Sequence, residues 1–458
     1  MTRTARALTA VAILVPALGL AACASNDNTL APTPAATASA SSTPSSTIKL
    51  MTLTSVTGPI VFPEVVGAAK AAAKAVNDAG GVNGTQIEID PCDTRFDPNG
   101  AGDCARQAVS DHVTAVVGSI GPDGDTYMPI LKAAGIPSVA DLVSSPSEAT
   151  LDNSYPFHGT ALQLVAAGAV LKASGQKSVE YLGPNVPAYV GLIDLVKQLL
   201  PQVGIEFKGS TLYPVDVTDF NQYVASAYES GADSVNALFT SANQVPAFLN
   251  AVDSGGYSFT KTPTTTFGST FKPSVLTGQA ANKLNGMYII NGGQTPTDTS
   301  LPDIKRFHDE VAASGENVEF DDSALAAWSG VHMIADVLKN ATGDITSPQV
   351  LQDALKNAGD IHPLGWVTVN YSKPALPAPL SDQLPRFASA QVWVSKIENN
   401  QAVTAVSAPV PFTGPVDLSG GSGGSSASSS PSPTSTSGTD SSGGSSSAPT
   451  ESPTSSPQ

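Results

Sequence analysis

The sequence has 458 residues, of which 13% are charged and 41% are hydrophobic, and its formal net charge is −17. A chain this acidic is not expected to bind nucleic acid or anionic lipid surfaces, because both carry negative charge themselves. Its length exceeds what one hydrophobic core usually supports, so two domains are expected.

The sequence opens with the pattern of an export signal. Arg3 and Arg6 precede an apolar run from Ala7 to Ala22, and a basic start followed by a short apolar stretch is typical of secretory signal peptides. The run is shorter than the roughly 20 apolar residues that cross a bilayer. We interpret residues 1–22 as a signal peptide.

The apolar run ends in Leu20, Ala21, Ala22 and Cys23. This quartet resembles the processing box of bacterial lipoproteins, in which the cysteine becomes the acylated first residue. The resemblance implies a lipid anchor at Cys23 and a location on the outer face of the cytoplasmic membrane. The alternative is an ordinary cleaved signal with an incidental cysteine.

Two stretches have compositions that cannot bury enough surface to fold. Residues 23–47 are mostly Ala, Thr, Ser and Pro, and residues 415–458 are mostly Gly, Ser, Pro and Thr. Segments with few bulky apolar residues and many turn formers are typical of disordered chain. The first is interpreted as a tether to the membrane and the second as a disordered tail.

Between these stretches, apolar runs of strand length alternate with segments of helical periodicity. The first predicted elements are strand 48–54, helix 62–79, strand 85–91, helix 101–111, strand 114–118, helix 125–134 and strand 136–140. After Phe157 follow helix 161–174, strand 178–182, helix 188–203, strand 205–212, helix 220–230 and strand 234–239. This alternation predicts βαβ units with parallel sheets in two lobes.

The last part of the body has a different order of elements. It reads as strand 286–290, helix 301–314, helix 323–340 and two closing strands, 391–397 and 402–407. Trp328 and Met333 are placed at helical spacing in the second of these helices, which predicts that both belong to a core.

Cysteine usage fits an exported protein. The chain has three cysteines, and once Cys23 is assigned to the lipid, Cys92 and Cys104 remain as one pair. An even remainder in an exported protein predicts a disulfide, here between the end of a strand and the following helix. Metal ligation is the alternative, which the sequence disfavours because no histidine stands near them at the spacing of a zinc motif.

A set of short motifs follows in order through residues 48–145. They are an early strand followed by Thr57, Gly58 and Pro59, the turn-rich segment 77–84, the Cys92 and Cys104 spacing, and segments 115–119 and 134–137. In this order they resemble the periplasmic binding proteins of the branched-chain amino acid receptor (Leu/Ile/Val-binding) family. Members of that family are substrate-binding subunits of ABC importers.

The resemblance implies an α/β chain with the type I periplasmic-binding-protein fold, in which two Rossmann-like lobes are joined by a three-strand hinge. Lobe 1 would contain residues 48–159 and about 293–385, and lobe 2 would contain residues 160–292 and about 386–414. The implied ligand is a small-molecule solute and the implied partners are ABC permease and ATPase subunits, with no cofactor.

Ligands of open parallel sheets bind in the crevice at the carboxyl ends of the strands. Ser119, Ile120 and Gly121 follow one predicted strand and precede a helix. Their backbone N–H groups and the Ser119 hydroxyl are therefore expected to contact a carboxylate or another acceptor on the solute. The alternative is that Ser119 only caps that helix.

Further contacts follow from the resemblance. It places Val143 and Ser144 where family members contact the carboxylate of their ligand, although a plain turn would also explain these residues. It also implies contacts from Thr57 and from Tyr189, an aromatic residue that opens the helix after the strand ending at Leu182.

The far wall is expected to come from two loops of the second lobe. Thr240 and Ser241 follow one strand, and Ser269 and Thr270 follow another. Amino acid binders of this family hold the ammonium with an acid in the later loop, where this chain has Thr270. Since neither loop contains a carboxylate, we expect a neutral polar molecule or a simple carboxylate rather than a branched-chain amino acid.

Three other classes of function are alternatives. An enzyme needs a nucleophile, a base and an orienting group in one site, but the five histidines are scattered. His158 lies near the predicted crossing between the lobes and is expected to make a structural hydrogen bond, with contact to the solute as the alternative. A sensory receptor of the same fold remains the main alternative, because fold does not fix function. A structural role at the cell wall is favoured only by the long tail.

Overall fold

The structure, a computed structural model, describes residues 47–419 except positions 59, 269 and 281. The predicted signal peptide, Cys23, nearly all of the tether, Ser269 and the tail from position 420 lie outside the described residues. Within the described part of the chain, no helix is both long and apolar enough to cross a bilayer.

The first part of the chain forms a parallel sheet flanked by helices. Its strands are β1 (Ile48–Thr54), β2 (Ile87–Asp93), β3 (Ala115–Val117), β4 (Ser138–Val139), β5 (Leu142–Val143), β6 (Ser154–Tyr155) and β7 (His158–Gly159). Its helices are α1 (Pro63–Asp78), α2 (Pro98–Ser110), α3 (Gly124–Ala133) and α4 (Pro146–Thr150). The five-stranded sheet has the order β2-β1-β3-β4-β6, and β5 pairs with β7 beside it.

The second part repeats the pattern. Its helices are α5 (Thr160–Ala173), α6 (Pro187–Val203), α7 (Asn221–Tyr228), α8 (Gln244–Ser254) and α9 (Pro273–Thr277). Its strands are β8 (Ser178–Pro184), β9 (Glu206–Tyr213), β10 (Ser234–Ala237), β11 (Thr264–Phe267) and β12 (Tyr288–Asn291). These strands are parallel to one another within a second sheet.

The last part of the chain contributes to both layers. It forms α10 (Pro302–Ser314), α11 (Asp322–Lys339), α12 (Pro348–Asn357), α13 (Leu380–Gln383), β13 (Gln391–Glu398), β14 (Gln401–Thr404) and β15 (Val410–Pro411). Helices α10 to α12 pack in the core of the first sheet. Strands β13 and β14 extend the second sheet to the order β14-β13-β12-β11-β10-β8-β9. Strand β13 is antiparallel to β12, β14 is antiparallel to β13, and β15 also pairs with β13.

Each sheet is covered on both faces. Successive residues of a strand point to opposite sides of the sheet, so one strand contributes side chains to both faces. In β1, Ile48 and Leu50 pack with α1 and α11, whereas Met51 and Leu53 pack with α2 and α3. Strands buried on both faces read as continuous apolar runs. The predicted α/β class and the type I fold are therefore confirmed.

The chain passes three times between the two sheets, and these passages touch one another. A Cβ atom on Gly159, in the first passage, would come within 2.1 Å of the Phe387 ring in the third. A Cβ atom on Gly292, in the second passage, would come within 2.4 Å of the His158 ring and 2.2 Å of Trp366. Only hydrogen fits at these two positions.

Several single predictions can be compared with the structure. Cys92 and Cys104 are joined by a disulfide, and Trp328 and Met333 are buried in the core. The described start of the predicted tail is not free of the body, because Val416 and Leu418 pack against the core of the second sheet.

Candidate functional site

A cleft of about 190 Å³ lies where the carboxyl ends of strands from the two sheets meet. One wall consists of residues that follow β1, β2, β3 and β5, and the other consists of residues that follow β10 and β11. The base is formed by residues near the passages between the sheets. The lining residues are Phe62, Phe96, Ile120, Gly121, Pro122, Leu142, Ser144, His158, Thr160, Gln163, Leu238, Phe239, Thr240, Phe267, Thr270 and Asp322.

The walls of the cleft are mainly apolar. Phe62 and Phe96 come from the first-sheet side, and Phe239 and Phe267 come from the second-sheet side. Aromatic and aliphatic walls with a few convergent polar groups are typical of small-molecule sites. The arrangement can hold a small solute whose body is apolar.

The loop that carries Ser144 is fixed from behind by Glu148. This buried carboxylate accepts hydrogen bonds from the backbone N–H groups of Ser144 at 2.9 Å and Ser145 at 2.8 Å. Ser145 caps α4 and Glu148 completes a capping box with it, a reciprocal arrangement that orders a helix start. The Ser144 hydroxyl donates to the carbonyl of Gly121 at 2.7 Å, which ties the two loops of this wall together.

The base of the cleft contains the two titratable side chains among its lining residues, His158 and Asp322. Burial lowers the pKa of His158 to about 4, so the ring is neutral at physiological pH. Burial, joined by the charge of Asp321, raises the pKa of Asp322 well above its ordinary value. Asp322 Oδ2 accepts a hydrogen bond from the Gly292 N–H at 3.3 Å.

Five of the predicted contact residues line the cleft. They are Ile120, Gly121, Ser144, Thr240 and Thr270. Each follows a strand of a parallel sheet, and the carboxyl ends of such strands are where ligands of these sheets bind. Their contact with a solute stays a prediction.

Among the described residues, the other predicted contacts do not line the cleft, and Ser269 lies outside the described residues. Tyr189 is 2% exposed and packs into the core against Gly183 of β8. Strand β8 extends to Pro184 and α6 begins only at Pro187, so Tyr189 falls on the inner face of the helix. Its ring is therefore a core residue, a correction to its predicted role.

Three more predicted contacts do not line the cleft. Thr57 is exposed and bonds to Asp93 in the loop after β1. Val143 is 4% exposed and packs in the core around α5. Ser241 lines an outer cavity of about 390 Å³ that shares Phe62 with the cleft.

Ser119 is buried and does not take the alternative role of a helix cap. Helix α3 begins at Gly124 with Asp123 in the capping position, so Ser119 does not cap it. The residue is 1% exposed and does not line the cleft. Its hydroxyl has no hydrogen-bond partner within the described part of the chain.

Sequence reasoning missed Asp322, the acid that lines the cleft. Asp321 precedes α11 and Asp322 is its first residue, but a helix needs only one capping residue. The Asp321 carboxylate takes that role by accepting from the Ala324 N–H at 2.9 Å. Asp322 could have been recognised in the sequence as a candidate site residue, because it has no capping function. His158 also lines the cleft, which agrees with the alternative that it contacts the solute, and Gln163 lines it too.

A buried ion pair bridges the two sheet layers beside the cleft. Lys272, at the start of α9, pairs with Glu64 of α1 and lies 3.5 Å from Asp321. Lys272 also lies over the ring of Phe62 at 5.3 Å. Burial and the charge of Asp321 raise the pKa of Glu64 to about 8, because two acids share one lysine.

A larger cavity of about 440 Å³ is separate from the cleft. It is bordered by α9, by β12 to β14 and by the loop before α10. Gly268 and Asp321 line it, whereas their neighbours Phe267 and Asp322 line the cleft. Strand-end residues of the second sheet alone line this cavity, whereas strand-end residues of both sheets line the smaller cleft. We therefore assign the site to the smaller cleft, where the carboxyl ends of the two sheets face each other.

A family model described as periplasmic binding protein matches residues 47–370, most of the described chain. The chain belongs to the periplasmic binding protein family. No curated protein sequence matches it. The family assignment agrees with the position of the cleft between two α/β layers.

Several solved structures share the fold of this periplasmic binding protein at low sequence identity. The branched-chain amino acid transporter substrate-binding protein LivJ from Streptococcus pneumoniae, in complex with isoleucine, is 18% identical with a TM-score of 0.62. The match covers 80% of this chain and 99% of LivJ. At these identities the likeness shows the fold alone.

Two further neighbours have names that indicate other ligands. A fatty acid ABC transporter substrate-binding protein from Thermomonospora curvata is 16% identical with a TM-score of 0.65, covering 81% of this chain and 92% of its own. A solute-binding protein from R. palustris in complex with 4-hydroxybenzoate is 18% identical with a TM-score of 0.64, covering 80% and 96%. One fold therefore serves chemically different solutes.

Proposed function

We propose that this periplasmic binding protein is the extracytoplasmic receptor of an ABC importer and captures a small polar solute, such as an amino acid, amide or short carboxylate, in the described cleft. The observation that carries the proposal is the cleft itself, in which strand-end loops of two α/β layers face each other around a few polar groups. The names of the structural neighbours support this reading.

In the proposed mechanism the two layers are lobes that close over the solute. Lobe 1 comprises residues 48–159 and about 293–385, and lobe 2 comprises residues 160–292 and about 386–414. This division is supported by the packing of α10 to α12 in the core of the first sheet and of β13 in the second sheet. A solute that contacts both walls stabilises the closed form by its differential affinity.

The proposed partners and location follow from the same function. The closed form would dock on permease and ATPase subunits, and a lipid on Cys23 would hold the receptor at the outer face of the cytoplasmic membrane. Cys23 lies outside the described residues, so mass spectrometry of the mature N-terminus is the direct test of the anchor.

The function is tested by a melting-temperature screen of the purified protein against amino acids, amides, short carboxylates and sugars. Bound ligand raises the melting temperature by mass action. Ile120→Trp is expected to abolish the response, because Ile120 is a partly buried, apolar lining residue and the larger ring fills the cleft.

The matched control is Thr299→Trp, which introduces the same ring at an exposed position of the larger cavity. T299W is expected to keep the response of the unmodified protein. If T299W loses the response and I120W keeps it, the solute binds in the larger cavity and our assignment is wrong. If no compound raises the melting temperature, the receptor function itself is contradicted.

A further inference from the structure

The hydroxyl groups of the cleft donate their protons to the protein. The three best-defined bonds run from Ser144 to the Gly121 carbonyl at 2.7 Å, from Thr160 to the Val143 carbonyl at 3.1 Å, and from Thr240 to the Gln244 side chain at 3.0 Å. A hydroxyl has one proton and two lone pairs. These groups therefore face a solute as hydrogen-bond acceptors.

Asp322 adds a stronger acceptor at the base of the cleft. The residue is 2% exposed and lines the cavity. Its Oδ2 atom is bonded to the Gly292 N–H, but its Oδ1 atom has no hydrogen-bond partner in the described part of the chain. A buried carboxylate oxygen without a partner is costly, so a donor from the solute would satisfy a group that the protein leaves open.

The cleft offers Asp322 no counter-charge. Among the described residues that line it there is no lysine or arginine, and the buried His158 ring is neutral at physiological pH. The nearby Lys272 is already paired with Glu64 and Asp321. Without a counter-charge, burial raises the pKa of Asp322 and favours its protonated form. An ammonium group on the solute would supply the missing charge and stabilise the ionised form, whereas a carboxylate group would add a second negative charge beside it.

We propose that the solute carries a protonated amine that donates a hydrogen bond to Asp322 Oδ1, with an apolar body against the phenylalanine walls. This inference rests on the proposed function and narrows its class of solute. An ammonium group has three donors and no acceptor, and its hydrogen bond to a carboxylate is stronger than a neutral one. The cleft volume of about 190 Å³ suits a small amine.

The test is calorimetric titration of the full chain with matched pairs of compounds that differ at the amine. One pair is 2-phenylethylamine and 3-phenylpropionate, and the other is isoleucine and 2-hydroxy-3-methylpentanoate. We expect the amine of each pair to bind at least about tenfold more tightly than its partner, a difference of about 1.4 kcal/mol.

Asp322→Asn keeps the size of the side chain and removes its charge. D322N is expected to weaken binding of the two amine-bearing compounds at least about tenfold. The weak binding of the two compounds without an amine should stay unchanged or improve. The matched control is Asp336→Asn on the same helix, where the aspartate is 62% exposed and pairs with Lys339 on the surface. D336N is expected to bind like the unmodified protein.

The outcomes separate this inference from the proposed function. If the compounds without an amine bind more tightly than their amine-bearing partners, and I120W abolishes that binding, the receptor function stands and the role of Asp322 is overturned. If neither class binds and the wider screen is also negative, both are overturned. The comparison within each pair uses the unmodified protein, so it decides the question even if D322N does not fold.

Discussion

Asp141 is a fully buried acid behind the loop that carries Ser144, and Glu148 lies close enough for its charge to act on it. Burial first, and Glu148 second, raise the pKa of Asp141 from its ordinary 3.8 to about 8. The folded protein therefore keeps a proton that the unfolded chain releases at lower pH. The free energy of unfolding must then fall as pH rises between these two values.

Asp141→Asn is expected to remove this part of the pH dependence, because asparagine is neutral throughout. Between about pH 5 and about pH 8, the melting temperature of D141N should fall less than that of the unmodified protein, by roughly 2–4 °C for each kcal/mol of the difference. Calorimetric scans across this range measure it. Identical pH profiles for both proteins would show that Asp141 is already ionised in the folded state.

Single residues show where the sequence was sufficient and where it was not. The positions after strands, such as Ile120 and Thr240, were predictable because strand ends fix one edge of a sheet. Tyr189 was not, since the helix begins at Pro187 rather than at the predicted residue 188. A shift of one residue is enough to turn a side chain from the cleft to the core. Asp322 was not predicted as a site residue, because an acid at the start of a helix is normally explained by capping.

At the level of elements, the apolar patterns predicted most of the helices and strands within a few residues. Strand β1 was predicted with its observed bounds, and α11 within one residue at each end. Helices α8 and α12 were missed. Helix α12 is short but amphipathic and buries Leu351 and Leu355, which are four residues apart. Its periodicity was therefore a usable signal in the sequence.

The disulfide ties the end of β2 to α2 and closes a loop with a sequence separation of 12. Replacing both cysteines by alanine is expected to lower the free energy of unfolding by about 3 kcal/mol, because the unfolded chain regains the entropy of that loop. Denaturant melts of C92A/C104A measure the loss. A reducing agent should destabilise the unmodified protein by a similar amount and leave the variant unaffected, and any other result contradicts the prediction.

At the scale of the whole molecule, Lys272 connects the two layers. Its side chain is 8% exposed and those of Glu64 and Asp321 are 3% and 0% exposed. Although burial opposes it, the charges of Asp321 and Glu64 raise the pKa of Lys272, so the lysine stays charged. If the layers separate, this pair must break and the three groups must be hydrated again.

Lys272→Met is expected to shift the solute-free protein towards a more open arrangement. It leaves two buried acids without their cation, and breaking a buried pair from one side typically costs about 3–5 kcal/mol. Small-angle X-ray scattering should show a larger radius of gyration for K272M, and solute affinity should fall. The control is Lys283→Met, which removes a lysine paired with Asp253 at the surface and should change neither quantity.

The outcome that would contradict this role is a K272M protein with unchanged radius and unchanged affinity. A second variant, K272M with Glu64→Gln, removes one of the stranded acids and should recover part of the affinity. Recovery would separate the electrostatic cause from a simple loss of packing by the lysine stem.

The close contacts of Gly159 and Gly292 have a consequence for natural variation. Both lie where the chain passes between the layers, pressed against aromatic rings from the other passages. In the proposed mechanism, an added methyl group at either position would push the passages apart and tilt one lobe against the other. Substitutions at these two glycines would then change solute affinity although neither residue lines the cleft.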